Sequence, residues 1–307
     1  MFFEQGNKGK NNLALYIVTT FLILIAYSIG QSPLFFVVKS KLQKGNYNID
    51  IAEFFENPDF ESIGMSNNFG LFLLLIMFVT SFIALSIGVK YLHQKSMINL
   101  VSADNRIDWR RVIFGFAVWM ILLAIGDLVL YLTDPAVYQY NFNPKKIIGL
   151  LAICIFILPI QTSFEELFFR GYLLQGFYNV INNKWIVIIL TSFLFMLVHS
   201  TNPEIKQYGL GIMLCYYFLA GLLLGLVTMF DNRLELALGM HAGMNMYGAI
   251  FVGYEGGAIQ TDSVLKMSDI NAPMMVLTLI VAGLVFIFLA KRNFKWSLSV
   301  ENEEPIA

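Results

Sequence analysis

Residues 147–178 read IIGLLAICIFILPIQTSFEELFFRGYLLQGFY, and this stretch decides the fold. Its first half has the apolar density of a membrane-spanning helix, which needs about 20 such residues to cross about 30 Å of hydrocarbon. At 1.5 Å per residue the whole run is too long for one span. Pro159 is therefore expected to kink it, and its C-terminal end to emerge into the headgroups. Inside the run sit Glu165, Glu166 and Arg170, ionisable groups whose insertion costs roughly 2.5–3.5 kcal/mol each. Such groups turn away from lipid toward other helices, so the run implies a bundle with a polar cavity.

The rest of the chain agrees. Of its 307 residues 57% are hydrophobic and 13% charged, against roughly 25% charged in a soluble domain. The mean hydropathy is +0.67. About eight apolar stretches are candidate spans. They are Leu13–Gly30, Gly70–Leu92, Val112–Leu132, Ile147–Tyr178, Trp185–Ser200, Leu210–Phe230, Leu234–Tyr254 and Met274–Ala290. The fold class is all-α, a polytopic membrane protein read as a single transmembrane domain over 1–307, with the catalytic core at 146–255. The fifth stretch is short and stops at Asn202-Pro203. Gln31–Phe69 reads as a polar connection with an amphipathic stretch at Ile49–Phe60, Glu255–Pro273 as a smaller polar loop, and Glu301–Glu304 as a solvated acidic tail. The first apolar run lacks an early cleavage site and reads as a retained helix rather than a signal peptide.

Lysine and arginine sit mainly on the side holding Lys8, Lys10, Arg106, Arg110 and Arg111, with fewer on the side holding Lys39, Lys41 and Lys44. Both termini are therefore expected in the cytoplasm. The net charge is −1 and no basic stripe appears, which argues against nucleic acid as a partner. The two cysteines, Cys154 and Cys215, lie in apolar runs and read as buried thiols.

The chain has three histidines. Two of them stand in late spans, His199 in Phe-Met-Leu-Val-His and His241 in His-Ala-Gly-Met-Asn. Glu166 and Arg170 are four apart and share a helix face, as do Phe195 and His199, and His241 and Asn245. Glu165 is rotated roughly 100° from Glu166 and points elsewhere. Counted from the cytoplasmic helix ends, Glu165 and His199 both lie ~21 Å deep, Asn245 ~16 Å and His241 only ~10 Å. These depths suggest one cavity among helices four, five and seven, with His241 the worst placed. Gly221-x-x-x-Gly225 and Gly239-x-x-x-Gly243 allow close helix approach. Asp127 is one further intramembrane acid, read as an interhelical hydrogen-bonding group. No inverted repeat supports a transporter.

The inventory suits hydrolysis. No Gly-x-Ser-x-Gly elbow or Cys–His pair supports a covalent nucleophile, and the His-Glu-x-x-His motif is absent. A buried carboxylate has its basicity raised by desolvation and can take a proton from water. A histidine can orient that water, and a second histidine with an amide can donate to an oxyanion. Glu165, His199, His241 and Asn245 supply these groups. The same Glu165, His199 and His241 could instead bind zinc with an open water position. The metal-free glutamate reading is favoured, because hydrogen-bonded water tolerates looser placement than a metal ion.

Glu-Glu-x-x-x-Arg (Glu165–Arg170, followed by Gly171), Phe-x-x-x-His (Phe195–His199) and His-x-x-x-Asn (His241–Asn245) together resemble the CAAX protease and bacteriocin-processing (CPBP, or Abi) intramembrane peptidases. The resemblance spans roughly 146–255. It implies an endopeptidase in which Glu165 activates water with His199, His241 and Asn245 form the oxyanion site, and Glu166 and Arg170, with Phe195 beside them, support the cavity. It implies a peptide or lipidated protein substrate, in a family where some members are regarded as metalloproteases and others are linked to peptide maturation, immunity and signalling. A bacterial plasma membrane is the expected location. The alternatives are a zinc-dependent form of the same peptidase and a non-enzymatic scaffold or immunity protein that keeps the fold.

Overall fold

The computed structural model describes residues 1–296 apart from Asn46, Asn48 and Asp269. The acidic stretch Glu301–Glu304 lies outside the described residues, as does the C terminus. Among the described residues twelve α-helices make up most of the structure: α1 Leu13–Lys44, α2 Ile51–Glu56, α3 Asn67–Ile87, α4 Trp109–Thr133, α5 Pro144–Phe156, α6 Leu158–Glu166, α7 Leu174–Ile181, α8 Lys184–Val198, α9 Pro203–Tyr208, α10 Leu210–Asp231, α11 Glu235–Ile250 and α12 Ala272–Phe294. Among the described residues, six helices are long and apolar enough to cross a membrane: Leu13–Lys44, Asn67–Leu92, Trp109–Thr133, Pro144–Ile181, Leu210–Asp231 and Ala272–Phe294. The other two stretches read as spans fold as α8 and α11, which are shorter at 15 and 16 residues. The architecture is all-α and polytopic, with little sheet.

The first helix differs from its sequence reading. It continues through Pro33 to Lys44 instead of stopping at Gly30. Leu34, Val38 and Leu42 recur every fourth residue and bury one stripe against Phe54, Phe60, Ile63 and Leu73, which keeps a polar-looking stretch helical. At 32 residues this helix is ~48 Å long, so its last turns stand beyond a ~30 Å hydrocarbon core. The amphipathic stretch read at 49–60 contains α2, capped by the Asp50 side chain accepting from Glu53 N–H.

Proline splits the long fourth run as its position requires. The chain breaks at Ile157, between α5 and α6, with Pro159 in the first turn of α6 where its missing N–H is harmless. A π-turn at Leu167–Leu173 then joins α6 to α7. At its far end, α11 stops at Ile250 rather than running to Tyr254. Val252–Tyr254 is instead strand β2, which follows β1 (Tyr138–Tyr140) in the chain and pairs in parallel with β3 (Leu265–Met267). β1 pairs antiparallel with the other edge of β3. The loop read at 255–273 therefore carries a strand. The free thiol of Cys154 is buried as expected, whereas that of Cys215 faces outward.

Polar contacts at the two ends fix how the helices alternate. At the N-terminal end Phe2 N–H donates to Asn232 Oδ1. There Arg111 pairs with Asp231, which also accepts from Trp296 Nε1 at 2.7 Å, so the start of α4 meets the ends of α10 and α12. At the opposite end Lys146 Nζ donates to Asp262 at 3.1 Å and pairs with Glu61, Asn67 Nδ2 donates to Asp262 at 3.1 Å, and Lys206 pairs with Glu56 at 2.6 Å.

Lys95 lies at the N-terminal end, outside the spans. Its amine is buried and donates to Gln175 Oε1 at 2.7 Å. Burial, with the nearby Lys8 charge adding to it, pushes its pKa down to about 7. The folded state therefore binds fewer protons than the unfolded state from about pH 7 up to the ordinary lysine value. Stability is expected to rise with pH across that window, by at most about 1.4 kcal/mol per pH unit. Thermal unfolding in detergent between pH 6.5 and 9 tests this, and Lys95→Met should flatten the dependence.

The helix bearing His241 packs on α4 through glycine. A Cβ on Gly239 would lie 2.0 Å from Val112 O, one on Gly115 2.4 Å from Leu236 O, and one on Gly243 2.8 Å from Phe116 O. Backbone atoms cannot yield as a flexible side chain does, so Gly239→Ala must push α11 away from α4. It is expected to lower stability by about 1–3 kcal/mol, read as a fall in thermal midpoint in detergent.

Candidate active site

The site is built from α6, the end of α8, α10 and α11. Glu165 and Glu166 close α6 and are both buried, at 6% and 0% exposure. Adjacent on the helix, they point to different partners. Glu166 Oε1 accepts from Arg170 Nη1 at 2.8 Å and from His241 Nδ1 at 2.7 Å. The acceptor is a carboxylate, so Nδ1 of His241 carries the proton in this contact. Arg170, one turn further along, is fully buried. Its Nη2 donates to Gly221 O at 3.0 Å, and its guanidinium lies 4.3 Å from the Phe195 ring centre. A Cβ on Gly221 would stand 3.3 Å from that Nη2, so the small residue on α10 lets the arginine reach the backbone.

Glu165 turns the other way. Its Oε1 accepts from Gln161 Nε2 at 2.6 Å, and Gln161 Oε1 in turn accepts from Asn245 Nδ2 at 3.0 Å. Its Oε2 is buried, has no hydrogen-bond partner among the described residues, and lies 3.5 Å from His241 Nε2. A carboxylate with one oxygen tied and the other free is aimed rather than mobile. Its free oxygen and the free ring nitrogen of His241 face the same small volume.

His199 follows the last residue of α8 and is partly buried. Its Nδ1 donates to Phe195 O at 2.7 Å. A carbonyl only accepts, so the proton sits on Nδ1 and the Nε2 lone pair is open. The ring packs against Phe195 at 4.3 Å between centres and stacks on Tyr217 at 4.5 Å. Phe195 also faces the His241 ring edge-on at 6.2 Å. It thus touches Arg170, His199 and His241 at once.

The shallow placement counted for His241 is resolved by the neighbouring helix. Glu165 lies sixteen residues before the end of α7 at Ile181, whereas His241 lies six after the start of α11. For the two to meet, α7 must project past the start of α11 by roughly 15 Å. The projecting end is sheathed by the N-terminal 3₁₀ turn Phe3–Asn7 and by the turn at Met97–Leu100. Phe3 packs on Tyr178 at 5.1 Å, and Gln175 Nε2 donates to Asn99 O at 2.9 Å.

Four polar residues join this site that the motifs do not contain. Gln161 lies one helical turn before Glu165, and that spacing alone could have marked it. Asn202, Glu204 and Tyr217 form a second group beside His199. Asn202 and Glu204 fall in what reads as an ordinary polar loop, and Tyr217 in an apolar run, so no sequence signal joins them. Asp127, expected to make an interhelical hydrogen bond, accepts from Tyr247 at 2.7 Å and Tyr138 at 2.8 Å.

Among the described residues no three His, Cys, Asp or Glu side chains converge as a metal-binding group. His241 gives its Nδ1 hydrogen to Glu166 and His199 gives its own to the Phe195 carbonyl, which leaves both Nε2 atoms open.

A protein of Bacillus subtilis (strain 168), the uncharacterized protein YyaK, is 26% identical to the chain over 254 residues, 81% of each of the two. No solved structure matches the chain. The side chains of the site, from Gln161 to Asn245, all fall within residues 146–247, and over that block the chain matches the family described as Type II CAAX prenyl endopeptidase Rce1-like, in accord with the CAAX protease and bacteriocin-processing resemblance of its motifs.

Proposed function

We propose that the protein is an intramembrane endopeptidase that hydrolyses a peptide bond in a membrane-associated or lipidated peptide, using water activated by Glu165 and His199 without a metal. The observation that carries this reading is the free, buried Oε2 of Glu165, 3.5 Å from Nε2 of His241, with Oε1 fixed by Gln161. A carboxylate oxygen fixed in place and left open to a water molecule has the geometry of a general base.

In this mechanism Oε2 takes one proton from water while the open Nε2 of His199 accepts a hydrogen bond from the O–H that remains. The water oxygen bonds to the scissile carbonyl carbon, and its π electrons move onto the carbonyl oxygen. Protonated His241, held by Glu166, donates from Nε2 to that oxyanion. The second N–H of the Asn245 amide, the one not given to Gln161, is the other donor. Glu165 then passes its proton to the amine nitrogen as the C–N bond breaks and the oxyanion's electrons re-form the C=O bond, so the products are an amine and a carboxylic acid that keeps the water's other hydrogen and releases it to solvent.

The setting among apolar helices favours a substrate that is itself hydrophobic or lipid-bearing. A bacterial plasma membrane with the N terminus in the cytoplasm fits the lysine and arginine distribution and the Bacillus relative. Purified protein in detergent is expected to cleave an internally quenched peptide ending in a farnesylated Cys-a-a-X sequence, and to cleave the unprenylated peptide more slowly. Equal rates would remove the lipid from the substrate class, and no cleavage of either would count against the peptidase.

A further inference from the structure

We infer that Asn202, Glu204 and Tyr217 are positioning residues that fix the imidazole of His199, an inference that rests on His199 handling the hydrolytic water. His199 occupies a weakly held place. It follows the last residue of α8, and no further helical turn restrains it. The chain beyond it turns, with Asn202 N–H donating to His199 O at 3.1 Å. The Nδ1 bond to Phe195 O fixes one edge of the ring but leaves its plane free to tilt about that bond.

Tyr217 supplies the missing restraint. Its ring lies 4.5 Å from the imidazole at an interplanar angle of 25°. Its hydroxyl donates to Glu204 and accepts from Asn202 Nδ2 at 2.9 Å, and the same Nδ2 stands 3.3 Å from Glu204 Oε1. Two partners thus hold one hydroxyl, and a stacked ring held at its tip cannot swing. Glu204 is 2% exposed, and its Oε2 has no hydrogen-bond partner among the described residues. A buried carboxylate with one oxygen unsatisfied is costly. Apolar residues would join α9 to α10 at lower cost, so joining them does not account for this group. What it does uniquely is anchor the ring on which His199 lies, leaving Nε2 turned away from the Phe195 carbonyl.

The chain has three histidines, so the full-length protein labelled with ¹⁵N-histidine gives three sets of ring signals in detergent micelles. The set lost in His199→Gln identifies this residue. Wild type is expected to show His199 in the single Nδ1–H form. Tyr217→Ala and Glu204→Leu are expected to spread it between both tautomers, whereas Glu204→Gln, which keeps an acceptor for the tyrosine, preserves the wild-type signal. On the farnesylated Cys-a-a-X peptide, Tyr217→Ala should lower kcat about 10- to 100-fold with KM within about twofold, and Glu204→Gln should stay within about threefold of wild type. If Tyr217→Ala does not fold, Tyr217→Phe takes its place, with a smaller shift expected. An unchanged His199 signal in the folded tyrosine variant overturns the inference. A redistributed signal in a protein whose wild type cleaves nothing supports the positioning role and counts against the peptidase reading alone.

Discussion

Glu165→Gln is expected to reduce kcat on a cleavable peptide by about 10³-fold while leaving the protein folded. Glutamine matches glutamate in shape and can still accept the Gln161 amide at Oε1, so the bond at 2.6 Å has a counterpart in the variant. What is lost is the basic oxygen beside His241. The thermal midpoint should be unchanged or raised. A buried carboxylate oxygen without a hydrogen-bond partner is a desolvation penalty in the wild type, and an amide carries less of it. Loss of activity with retained or improved stability separates a base from a structural group. Steady-state kinetics beside thermal unfolding in the same detergent measures both. A variant that cleaves at the wild-type rate would take the role of base away from Glu165, and one that unfolds at a lower temperature would show a structural part for its charge.

The motif residues illustrate which parts of the site can be read from sequence. Spacing of four on a helix put Glu166 beside Arg170, and the structure has them at 2.8 Å. The same rule puts Gln161 beside Glu165, although glutamine carries no charge to attract notice in an apolar run. What spacing could not supply is the pairing between helices. His241 meets Glu166 rather than only Glu165, because α7 projects beyond the start of α11. That offset is set by the proline break at Ile157, the π-turn at Leu167–Leu173 and the N-terminal turn packed on α7. Counting residues from helix ends assumes that all helices begin at one plane, and here they do not.

The same limit explains the helix bounds. Apolar length identified the long spans but placed the end of α1 at Gly30, since Gln31, Ser32 and Pro33 look like a stop. The stripe of Leu34, Val38 and Leu42 overrides that local signal by packing against residues 54–73, a tertiary effect. The glycines of α11 were legible as a close-packing pattern, but their partner, α4, was not. Asn202, Glu204 and Tyr217 were illegible for a different reason. Each is unremarkable alone, and only the fold brings them together beside His199.

The second large effect concerns Glu166. Glu166→Ala is expected to lower stability by about 3–5 kcal/mol, because it takes the carboxylate partner from the fully buried Arg170 charge and leaves it to Gly221 O and the Phe169 and Phe195 rings. Arg170→Ala should cost a similar amount by stranding the Glu166 carboxylate, which would keep only His241. The two losses share one interaction, so they cannot add. Glu166→Leu with Arg170→Met removes both charges and fills the space, and it should recover most of the stability, because desolvating the pair offsets much of its attraction. Activity should not recover with it. His241 Nδ1 loses its acceptor in the double variant as in Glu166→Ala, and the ring is then free to turn its Nε2 from the oxyanion. Thermal midpoints and cleavage rates for the four proteins of this cycle test the argument. Stability that returns without activity assigns Glu166 to His241 rather than to the helix pair. Activity that returns with stability would make the Glu166–His241 contact dispensable and reduce the Glu166–Arg170 pair to a staple.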